Sequence, residues 1–281
     1  ATSVSGQDLQ VKVTDHGGLF LGMPAYLAGG QEALGVKVVT VYPDNPQRHN
    51  LATTLGTLML CDPATGAVSA IMDAGYLTAV RTGAASGVAT RYLARQDART
   101  CVVFGAGVQA RQQLIAVHHV RPLERVRVID TSTDAAAAFA RDLGAELDLP
   151  IEPTDDAEAA VGAADIVITA SSSPTPLLKG AWLRPGTHIN NIGSHAPTTR
   201  ELDTDAVVRS HYVADHRAAS LAEAGDLLIP IAEGAVTAEH IQAELGEVIN
   251  GDAPGRTSAE QITLFKSCGV AVQDMGTARA V

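Results

Sequence analysis

The chain has 281 residues, 46% of them hydrophobic and 18% charged, and its formal net charge at pH 7 is −11. This length is enough for one large domain or two ordinary ones with a buried core. The acidic balance argues against nucleic acid or an anionic membrane as a partner, because both bind basic surfaces. No apolar run approaches the roughly 20 residues of a membrane-spanning helix, and no secretory signal is visible at the first residues.

The three cysteines, Cys61, Cys101 and Cys268, lie far apart in apolar surroundings. Their odd number and the lack of a Cys-x-x-Cys motif favour buried, reduced thiols over disulfides or a nucleophile. The sequence therefore predicts a cytoplasmic protein. No spacing of histidines or cysteines indicates a metal site, so no metal is expected.

The first part of the chain alternates short β-rich runs with Gly, Pro, Asn and Asp turns, which is typical of an antiparallel sheet. A helix follows from the predicted N-cap Asp73 to about Arg95. The predicted strands are 9–13, 19–23, 34–41 and 55–61.

From Thr100 onward, near-continuous apolar strands alternate with helical stretches, which indicates an α/β fold with a doubly wound parallel sheet. This change in the sequence pattern predicts domain boundaries near residues 97 and 252. Residues 258–281 are predicted to be helical. The other predicted helices of this part are 108–120, 133–144, 155–163 and 199–209.

The segment 105–110 reads G-A-G-V-Q-A, follows a predicted strand and opens a helix. In the G-x-G-x-x-G/A motif the first glycine turns the chain, and the second lets a pyrophosphate approach the backbone. The small third residue lets the helix pack closely on the strand, and the helix N-terminus offers free N–H groups to the phosphates. The alternative is a glycine turn with an ordinary helix cap.

Asp130 ends the next strand, 20 residues after Ala110. An acidic side chain at this distance hydrogen-bonds the adenosine ribose hydroxyls of a dinucleotide, which favours the dinucleotide interpretation. It would repel the 2′-phosphate of NADP, so the sequence favours NAD. The alternative role of Asp130 is to cap the following helix.

Two cations lie in apolar patterns. Lys37 alternates with valines along one strand, where it either protects a sheet edge or points into a pocket that needs a cation, and the pattern does not separate the two. Arg81 lies on an apolar stripe of the helix that begins at Asp73. A buried guanidinium needs a carboxylate from the protein or from a ligand, and the pattern alone favours a structural salt bridge.

His195 follows a strand of the parallel sheet, beside Gly193 and Ser194, at the edge where such folds bind ligands. A histidine there can donate or accept a proton near neutral pH. The other eight histidines show no ligand-like partners and are expected at the surface.

Together these residues resemble the ornithine cyclodeaminase/mu-crystallin family over nearly the whole chain. The segments that carry the resemblance are "GMPAY", "GVKVVTVYPDN", "LTAVRTGAASGVATRYLAR", "VVFGAGVQA", "NNIGSHAPTTRELD" and "ITLFKSCGVAVQD". The resemblance implies a Rossmann domain, residues 98–252, inserted into a substrate-binding and dimerisation domain made of residues 1–97 and 253–281. It implies a homodimer, whose interface we expect to be incomplete because the family's usual terminal segments are missing from this sequence.

The resemblance also implies a small carboxylated amino or imino acid as substrate and a bound nicotinamide cofactor. Lys37 and Arg81 match the family's carboxylate-binding Lys and Arg, and Thr53 lies near a position that lines its pocket. Ser171 and Ser172 match the stretch beneath the nicotinamide end of the cofactor. The expected cofactor-binding residues are Gly105, Gly107, Val108, Gln109, Ala110, Asp130, Ser171, Ser172 and Gly193.

Two acidic residues of the family's cyclodeaminases are replaced here. His195 stands where they carry an Asp that handles the substrate amine, and Leu21 stands where they carry a Glu. Gln10 lies near the position of a second carboxylate-binding Arg, with Lys12 close by. These departures remove the groups that would hold a second amine, such as the δ-ammonium of ornithine.

The sequence therefore predicts an NAD(H)-dependent oxidoreductase of small α-imino or α-amino acids, of the ketimine reductase or amino acid dehydrogenase type. Arg81 and Lys37 would bind the substrate carboxylate, Lys37 would keep the imine region cationic, and His195 would transfer a proton. One alternative is an ornithine cyclodeaminase-type lyase that forms proline and ammonia with catalytic NAD. The other is a non-catalytic, crystallin-like dinucleotide-binding protein.

Overall fold

The structure, a computed structural model, describes residues 4–5 and 9–281. It divides into two compact units, one made of Ala1–Arg81 with Gly269–Val281 and the other of Thr82–Cys268. The first unit contains both ends of the chain, and the second contains the segment between them. In the part of the chain that the structure describes, none of the helices has the length and apolarity needed to cross a lipid bilayer.

The first unit is built on an antiparallel sheet with the strand order β1-β3-β4-β5-β6, and β2 also pairs with β3. Its strands are β1 (Val4–Ser5), β2 (Leu9–Val13), β3 (Gly18–Leu27), β4 (Ala33–Val41), β5 (Thr54–Cys61) and β6 (Val68–Asp73), with α1 (Asn45–His49) between β4 and β5. The antiparallel sheet predicted from the sequence is therefore confirmed, and β6 is a strand that the sequence analysis missed.

Helix α2 (Gly75–Leu93) follows β6 directly. The Asp73 Oδ1 accepts the backbone N–H groups of Gly75 at 2.9 Å and Tyr76 at 3.4 Å, so Asp73 starts this helix as predicted. The division between the two units falls inside α2, after Arg81.

The second unit is built on an eight-stranded, wholly parallel sheet with the order β13-β12-β14-β11-β10-β7-β8-β9. Its strands are β7 (Thr100–Phe104), β8 (Arg125–Ile129), β9 (Ile151–Pro153), β10 (Ile166–Thr169), β11 (His188–Asn191), β12 (Ser210–Ala214), β13 (Ile241–Glu244) and β14 (Ile262–Lys266). Its helices are α3 (Val108–Val120), α4 (Thr133–Leu147), α5 (Ala157–Gly162), α6 (Thr204–Val208), α7 (Arg217–Glu223), α8 (Gly225–Ala232) and α9 (Leu245–Asn250). This is the doubly wound Rossmann arrangement that the sequence predicted.

The C-terminal segment differs from the prediction. A helix throughout residues 258–281 is wrong, because Ile262–Lys266 forms β14, between β11 and β12. All five residues of β14 are buried, and a short run that is apolar on both faces cannot be distinguished from a buried helix by its periodicity. Only α10 (Ala271–Ala280) is helical there, and it packs on β3 and β4 of the antiparallel sheet.

The sequence analysis placed the domain boundaries near residues 97 and 252, whereas the compact units divide after Arg81 and after Cys268. The C-terminal half of α2 belongs with the parallel sheet, because its apolar face packs against strands of that sheet. One apolar cluster contains Ala85, Ala89, Leu93, Val213 and Phe265. Similarly, β14 brings residues up to Cys268 into the second unit.

The expected surface position is wrong for His188 on β11, whose side chain is fully buried. Its ring nitrogens lie 3.0 Å from Thr263 Oγ1 and 3.3 Å from Asn190 Oδ1. Burial, together with the positive charge of Arg256, lowers the pKa of His188 to about 3. The unfolded chain therefore binds a proton here at a higher pH than the folded chain does. The neutral imidazole stabilises the fold above about pH 6.5, and this stability is lost as the pH falls toward 3.

We expect His188→Gln to make the free energy of unfolding less dependent on pH between about 6.5 and 3. A pKa shift of the size seen for His188 corresponds to on the order of 5 kcal/mol of this free energy. The free energy of unfolding in urea, measured across this pH range, tests the expectation. His119→Gln is the matched control, because His119 is exposed. A pH dependence identical to that of the wild type would contradict the assignment.

Candidate functional site

The glycine turn lies at the switch point of the parallel sheet. Gly105 follows β7, and β7 pairs with β8 on one side and with β10 on the other. The backbone of Gly105 has φ +103°, and an added Cβ would lie 2.5 Å from the carbonyl oxygen of Ala170, which follows β10. A side chain is therefore excluded at Gly105 by both conformation and space. Ligands of doubly wound sheets bind beyond the strand ends at this point.

The N-terminus of α3 is open to a ligand. Gly107 occupies the N-cap position, and as a glycine it has no side chain to accept a hydrogen bond from the first turn. A Cβ at Gly107 would meet nothing within 4 Å, so open space lies next to the backbone here. Val108 is exposed, Gln109 is half-buried and Ala110 is fully buried. The first turn of this 13-residue helix therefore offers backbone N–H groups and a positive dipole end to a phosphate.

Asp130, directly after β8, is held beside this turn. Its Oδ2 accepts the N–H of Ala106 at 2.8 Å, and its Oδ1 accepts the N–H of Ser132 at 2.9 Å. Ser132 caps α4, because its hydroxyl accepts the N–H of Ala135 at 3.2 Å. The alternative role of Asp130 as the cap of the following helix is thus performed by Ser132. The Asp130 carboxylate is fixed next to the glycine turn instead, where a ribose would lie.

The segments after β10 and β11 are adjacent, because these strands pair with each other. Ser171 follows β10 and is half-buried, whereas the neighbouring Ser172 is exposed. Gly193 follows β11, and a Cβ added there would clash with the carbonyl oxygen of Ser171. His195 is exposed at the same edge of the sheet. The structure therefore brings Ser171 and Gly193 together, after the first and the second strand beyond β7 in the sheet order.

Lys37 and Arg81 meet at one carboxylate that the sequence analysis did not identify. Lys37 Nζ lies 2.8 Å from Asp274 Oδ2, and Arg81 Nε lies 2.9 Å from Asp274 Oδ1. The exposed fraction of these side chains is 2% for Lys37, 7% for Arg81 and 0% for Asp274. Both contacts are close ion pairs. Arg81 Nε and the two Asp274 oxygens do not meet the angles of a hydrogen bond in these contacts.

The positions of these three side chains follow from the packing of α10 on the sheet. Lys37 lies on β4, which is paired on both sides, so it does not protect a sheet edge. Asp274 lies on the buried face of α10 with Ala271, Met275 and Ala278. A charge on an apolar helical stripe was the signal that singled out Arg81, and the same signal could have identified Asp274.

Arg81 has further neighbours that orient its guanidinium. Its Nη1 donates to Gln273 Oε1 at 3.1 Å. Gly269 has φ +89°, and a Cβ there would lie 2.8 Å from Arg81 Nη1. Only glycine therefore satisfies both the backbone conformation and the space that the guanidinium needs. In this cluster two buried cations share the carboxylate of Asp274, and a guanidinium has further N–H groups that suit a second carboxylate.

Thr53, another predicted pocket residue, lies directly before β5. It is exposed, and its carbonyl oxygen accepts the N–H of Tyr42 at 2.8 Å. Thr54 pairs with Val41, whereas Leu58 is the β5 residue that pairs with Lys37. Thr53 thus lies five residues along the strand from the position beside Lys37, or roughly 16 Å.

The register also places the residues that depart from the cyclodeaminase pattern. Met23 pairs with Lys37, and Leu21 pairs with Val39 on the same face of the sheet. The face that carries Lys37 is therefore apolar where the cyclodeaminases carry an acid. Gln10 pairs with Leu21 and is exposed.

Comparison with known proteins identifies the family. The model of the ornithine cyclodeaminase/mu-crystallin family matches residues 6–281. The chain belongs to this family. The resemblance predicted from the sequence is thereby confirmed.

Three members of this family are similar to the chain over most of its length. A Delta(1)-pyrroline-2-carboxylate reductase of Bacillus cereus is 41% identical over 258 residues, which make up 92% of this chain and 78% of that protein. The structure of Thermococcus litoralis Delta(1)-pyrroline-2-carboxylate reductase in complex with NADH and L-proline has a TM-score of 0.95 and 43% identity, covering 99% of this chain and 85% of that one. An archaeal alanine dehydrogenase dimer with bound NAD has a TM-score of 0.92 and 33% identity, covering 99% and 84%.

Proposed function

We propose that this protein is an NAD(H)-dependent oxidoreductase that reduces the C=N bond of a small α-imino acid or oxidises the corresponding α-amino acid. The observation that carries the proposal is the buried cluster in which Lys37 and Arg81 lie 2.8 and 2.9 Å from one carboxylate, that of Asp274. The two buried cations attract a substrate carboxylate, and the guanidinium of Arg81 can bind it with two parallel hydrogen bonds.

The preferred substrate is a cyclic ketimine such as pyrroline-2-carboxylate. Two of the similar proteins, at 41% and 43% identity, are reductases of this compound. A small linear amino acid is the second choice, because the alanine dehydrogenase is 33% identical. Leu21 and Met23 are apolar and lie on the same face of the sheet as Lys37, which suits a substrate without a second amine.

The cofactor we assign is NAD, with NADP less favoured. The turn at Gly105 and Gly107 and the open start of α3 fit a pyrophosphate, and Asp130 fits the adenosine ribose. Val108, Gln109 and Ala110 form the first turn of α3 beneath the phosphates. Ser171, Ser172 and Gly193 would line the nicotinamide end. The nicotinamide, when bound, supplies or accepts the hydride.

The remaining step assigned to this chain is proton transfer at the substrate nitrogen. His195 is exposed beyond β11, and an imidazole can both donate and accept a proton. Lys37 is assigned a second role beside carboxylate binding, which is to stabilise negative charge that develops at the substrate nitrogen during hydride transfer. This replaces the expected role of keeping the imine region cationic, because a buried ammonium disfavours a second positive charge nearby.

An absorbance assay of NADH oxidation with pyrroline-2-carboxylate, piperideine-2-carboxylate and linear α-imino acids tests the proposal. A parallel reaction with ornithine and catalytic NAD is analysed for proline and ammonia. Turnover of an imino acid with net oxidation of NADH is the expected result. Ammonia release without net change of NADH would indicate a lyase instead, and saturable NADH binding with no turnover of any substrate would indicate a non-catalytic, crystallin-like role.

Replacement of Asp130 by Ser is expected to reduce the preference for NADH over NADPH by about 10- to 100-fold, because the variant loses a ribose acceptor and its repulsion of the 2′-phosphate. The ratio of the two dissociation constants, from fluorescence titration, measures this effect. Asp134→Asn is the control, because Asp134 is an exposed acid in the first turn of the following helix α4. If the ratio stays at the wild-type value, Asp130 only binds the backbone of the turn and does not contact the ribose.

We also propose a homodimer formed through the open face of the antiparallel sheet. The register puts Leu9, Val11, Leu55 and Ile71 on the face opposite Lys37, and they are 60%, 47%, 42% and 69% exposed. An apolar sheet face of this kind is typical of a protein interface, and the similar alanine dehydrogenase is a dimer. Light scattering after gel filtration tests the oligomeric state. A cytoplasmic location stays a prediction.

A further inference from the structure

Three charged side chains are completely buried within the parallel-sheet unit. Lys266 is the last residue of β14, Asp226 lies in the first turn of α8, and Glu201 precedes α6. The exposed fraction of each residue is 0%. Burial of three charges is costly, and an ion pair in such a place is weak evidence for stability by itself. Their contacts show what they hold in place.

Lys266 connects β14 to the segment after β11. Its Nζ lies 3.1 Å from Asp226 Oδ2 and donates a hydrogen bond to the carbonyl oxygen of Ser194 at 2.8 Å. Ser194 directly precedes His195. Burial favours a lower pKa for Lys266, but the carboxylates of Asp226 and Glu201 outweigh it and raise the pKa. The amine is therefore charged at neutral pH.

Asp226 continues the network to the far end of the same segment. Its Oδ1 accepts the N–H groups of Glu201 at 2.8 Å and Leu202 at 2.9 Å. The single Asp226 carboxylate thus binds the backbone at residues 201–202 through one oxygen and Lys266 through the other. This pair of side chains thus binds the backbone at Ser194 and at residues 201–202, on both sides of His195.

Glu201 fixes the start of the segment a second time. Its Oε2 accepts the N–H of Gly193 at 2.8 Å and a hydrogen bond from Asn191 Nδ2 at 3.1 Å. Its Oε1 accepts the N–H and the hydroxyl of Ser171 at 2.7 and 2.6 Å. The four donors use the acceptor positions of a carboxylate in full. Both residues before His195 are therefore held through backbone atoms, Gly193 by Glu201 and Ser194 by Lys266.

We propose that Lys266 and Asp226 are positioning residues that hold the segment 193–200 in one conformation, so that His195 is preorganised for proton transfer. This inference rests on the proposed function. The hydrogen bond from Lys266 to Ser194 lies next to His195 in the chain, whereas Ser171 and Gly193 are held by the side chain of Glu201. The backbone of Glu201 donates to Asp226 Oδ1, an acceptor that an asparagine at 226 retains. Loss of the Lys266–Asp226 pair should therefore affect proton transfer and leave cofactor binding intact.

The test variant is D226N/K266M, which removes both charges together and leaves no buried charge of the pair unpaired. The amide introduced by Asp226→Asn is neutral, and its oxygen can still accept the backbone N–H groups at 201–202. D226N/K266Q is the matched control, because glutamine retains an N–H donor for Ser194. If D226N/K266M does not fold, D226N/K266L replaces it, since leucine also lacks the donor.

Two measurements are made on the holoenzyme. Hydrogen exchange followed by mass spectrometry is expected to show amides of 193–200 exchanging at least about tenfold faster in D226N/K266M than in the wild type, with smaller change in D226N/K266Q. The kcat is expected to fall by about 10- to 100-fold, while KM and the NADH dissociation constant change by less than about threefold.

A double-mutant cycle with His195→Asn decides whether the effect acts through His195. His195→Asn alone is expected to lower kcat by about 10²- to 10⁴-fold, and D226N/K266M should then lower it by less than about threefold more. Equal effects in both backgrounds, or unchanged exchange of 193–200, would overturn the proposal. If the wild type turns over no imino acid, the proposed function fails, whereas the exchange experiment still reports on the segment.

Discussion

Replacement of Arg81 by Met is expected to lower kcat/KM for the imino acid by about 10³-fold, or about 4 kcal/mol, while the fold and NADH binding are retained. Arg81 is the cation of the cluster that can bind a carboxylate bidentately. The glycine turn that we assign to the cofactor belongs to the other compact unit.

The charges explain why this variant should fold. Without the guanidinium, Lys37 and Asp274 remain as a neutral pair at 2.8 Å, so each of these two buried charges keeps an opposite partner. The cluster loses its guanidinium, and with it the group suited to bind a substrate carboxylate with two hydrogen bonds. Arg81→Met therefore separates substrate binding from the structural ion pair.

Two controls accompany Arg81→Met. Arg81→Lys keeps the charge and loses the planar fork, so an intermediate kcat/KM is expected. Arg91→Met removes an exposed arginine from the same helix and should leave the kinetics unchanged. Wild-type kcat/KM in Arg81→Met would show that Arg81 has a structural role only, which is the alternative that its sequence pattern favoured.

The sequence predicted those parts of the site that depend on local pattern. The glycine turn at Gly105, the acid at Asp130 and the cation at Arg81 are each recognisable within one strand–helix unit or one helical stripe. The local geometry agrees with these patterns, since Gly105 has a positive φ and no space for a side chain, and Asp130 is bound beside the turn. The arrangement of the parallel sheet followed from the same strand–helix alternation.

The partners of these residues were not predictable in the same way, because they are distant in the sequence. Asp274 meets Lys37 across more than two hundred residues, and only the packing of α10 on the sheet brings them together. The sequence pattern assigns Lys266 to a helix, and a helix gives no reason to place its amine beside Ser194. The wrong assignment of one short apolar strand therefore concealed the network around His195.

Asp274 is the carboxylate that Lys37 and Arg81 share. Asp274→Asn is expected to lower the free energy of unfolding by about 3 to 5 kcal/mol, because it leaves two buried cations without their shared carboxylate. Urea unfolding at pH 7 measures the loss. Asp44→Asn is the matched control, since Asp44 pairs with Arg48 on the surface with 61% of its side chain exposed, and a change below about 1 kcal/mol is expected there.

A carboxylate ligand should partly restore the stability that Asp274→Asn removes, because a ligand that binds only the folded state stabilises it. With NADH present, L-proline is expected to raise the melting temperature of Asp274→Asn by more than it raises that of the wild type. Pyrrolidine, which has the same ring and no carboxylate, should raise neither. The comparison isolates the anion as the stabilising group. An equal response to L-proline in both proteins would mean that the carboxylate does not bind at Lys37 and Arg81, and the substrate assignment would have to be abandoned.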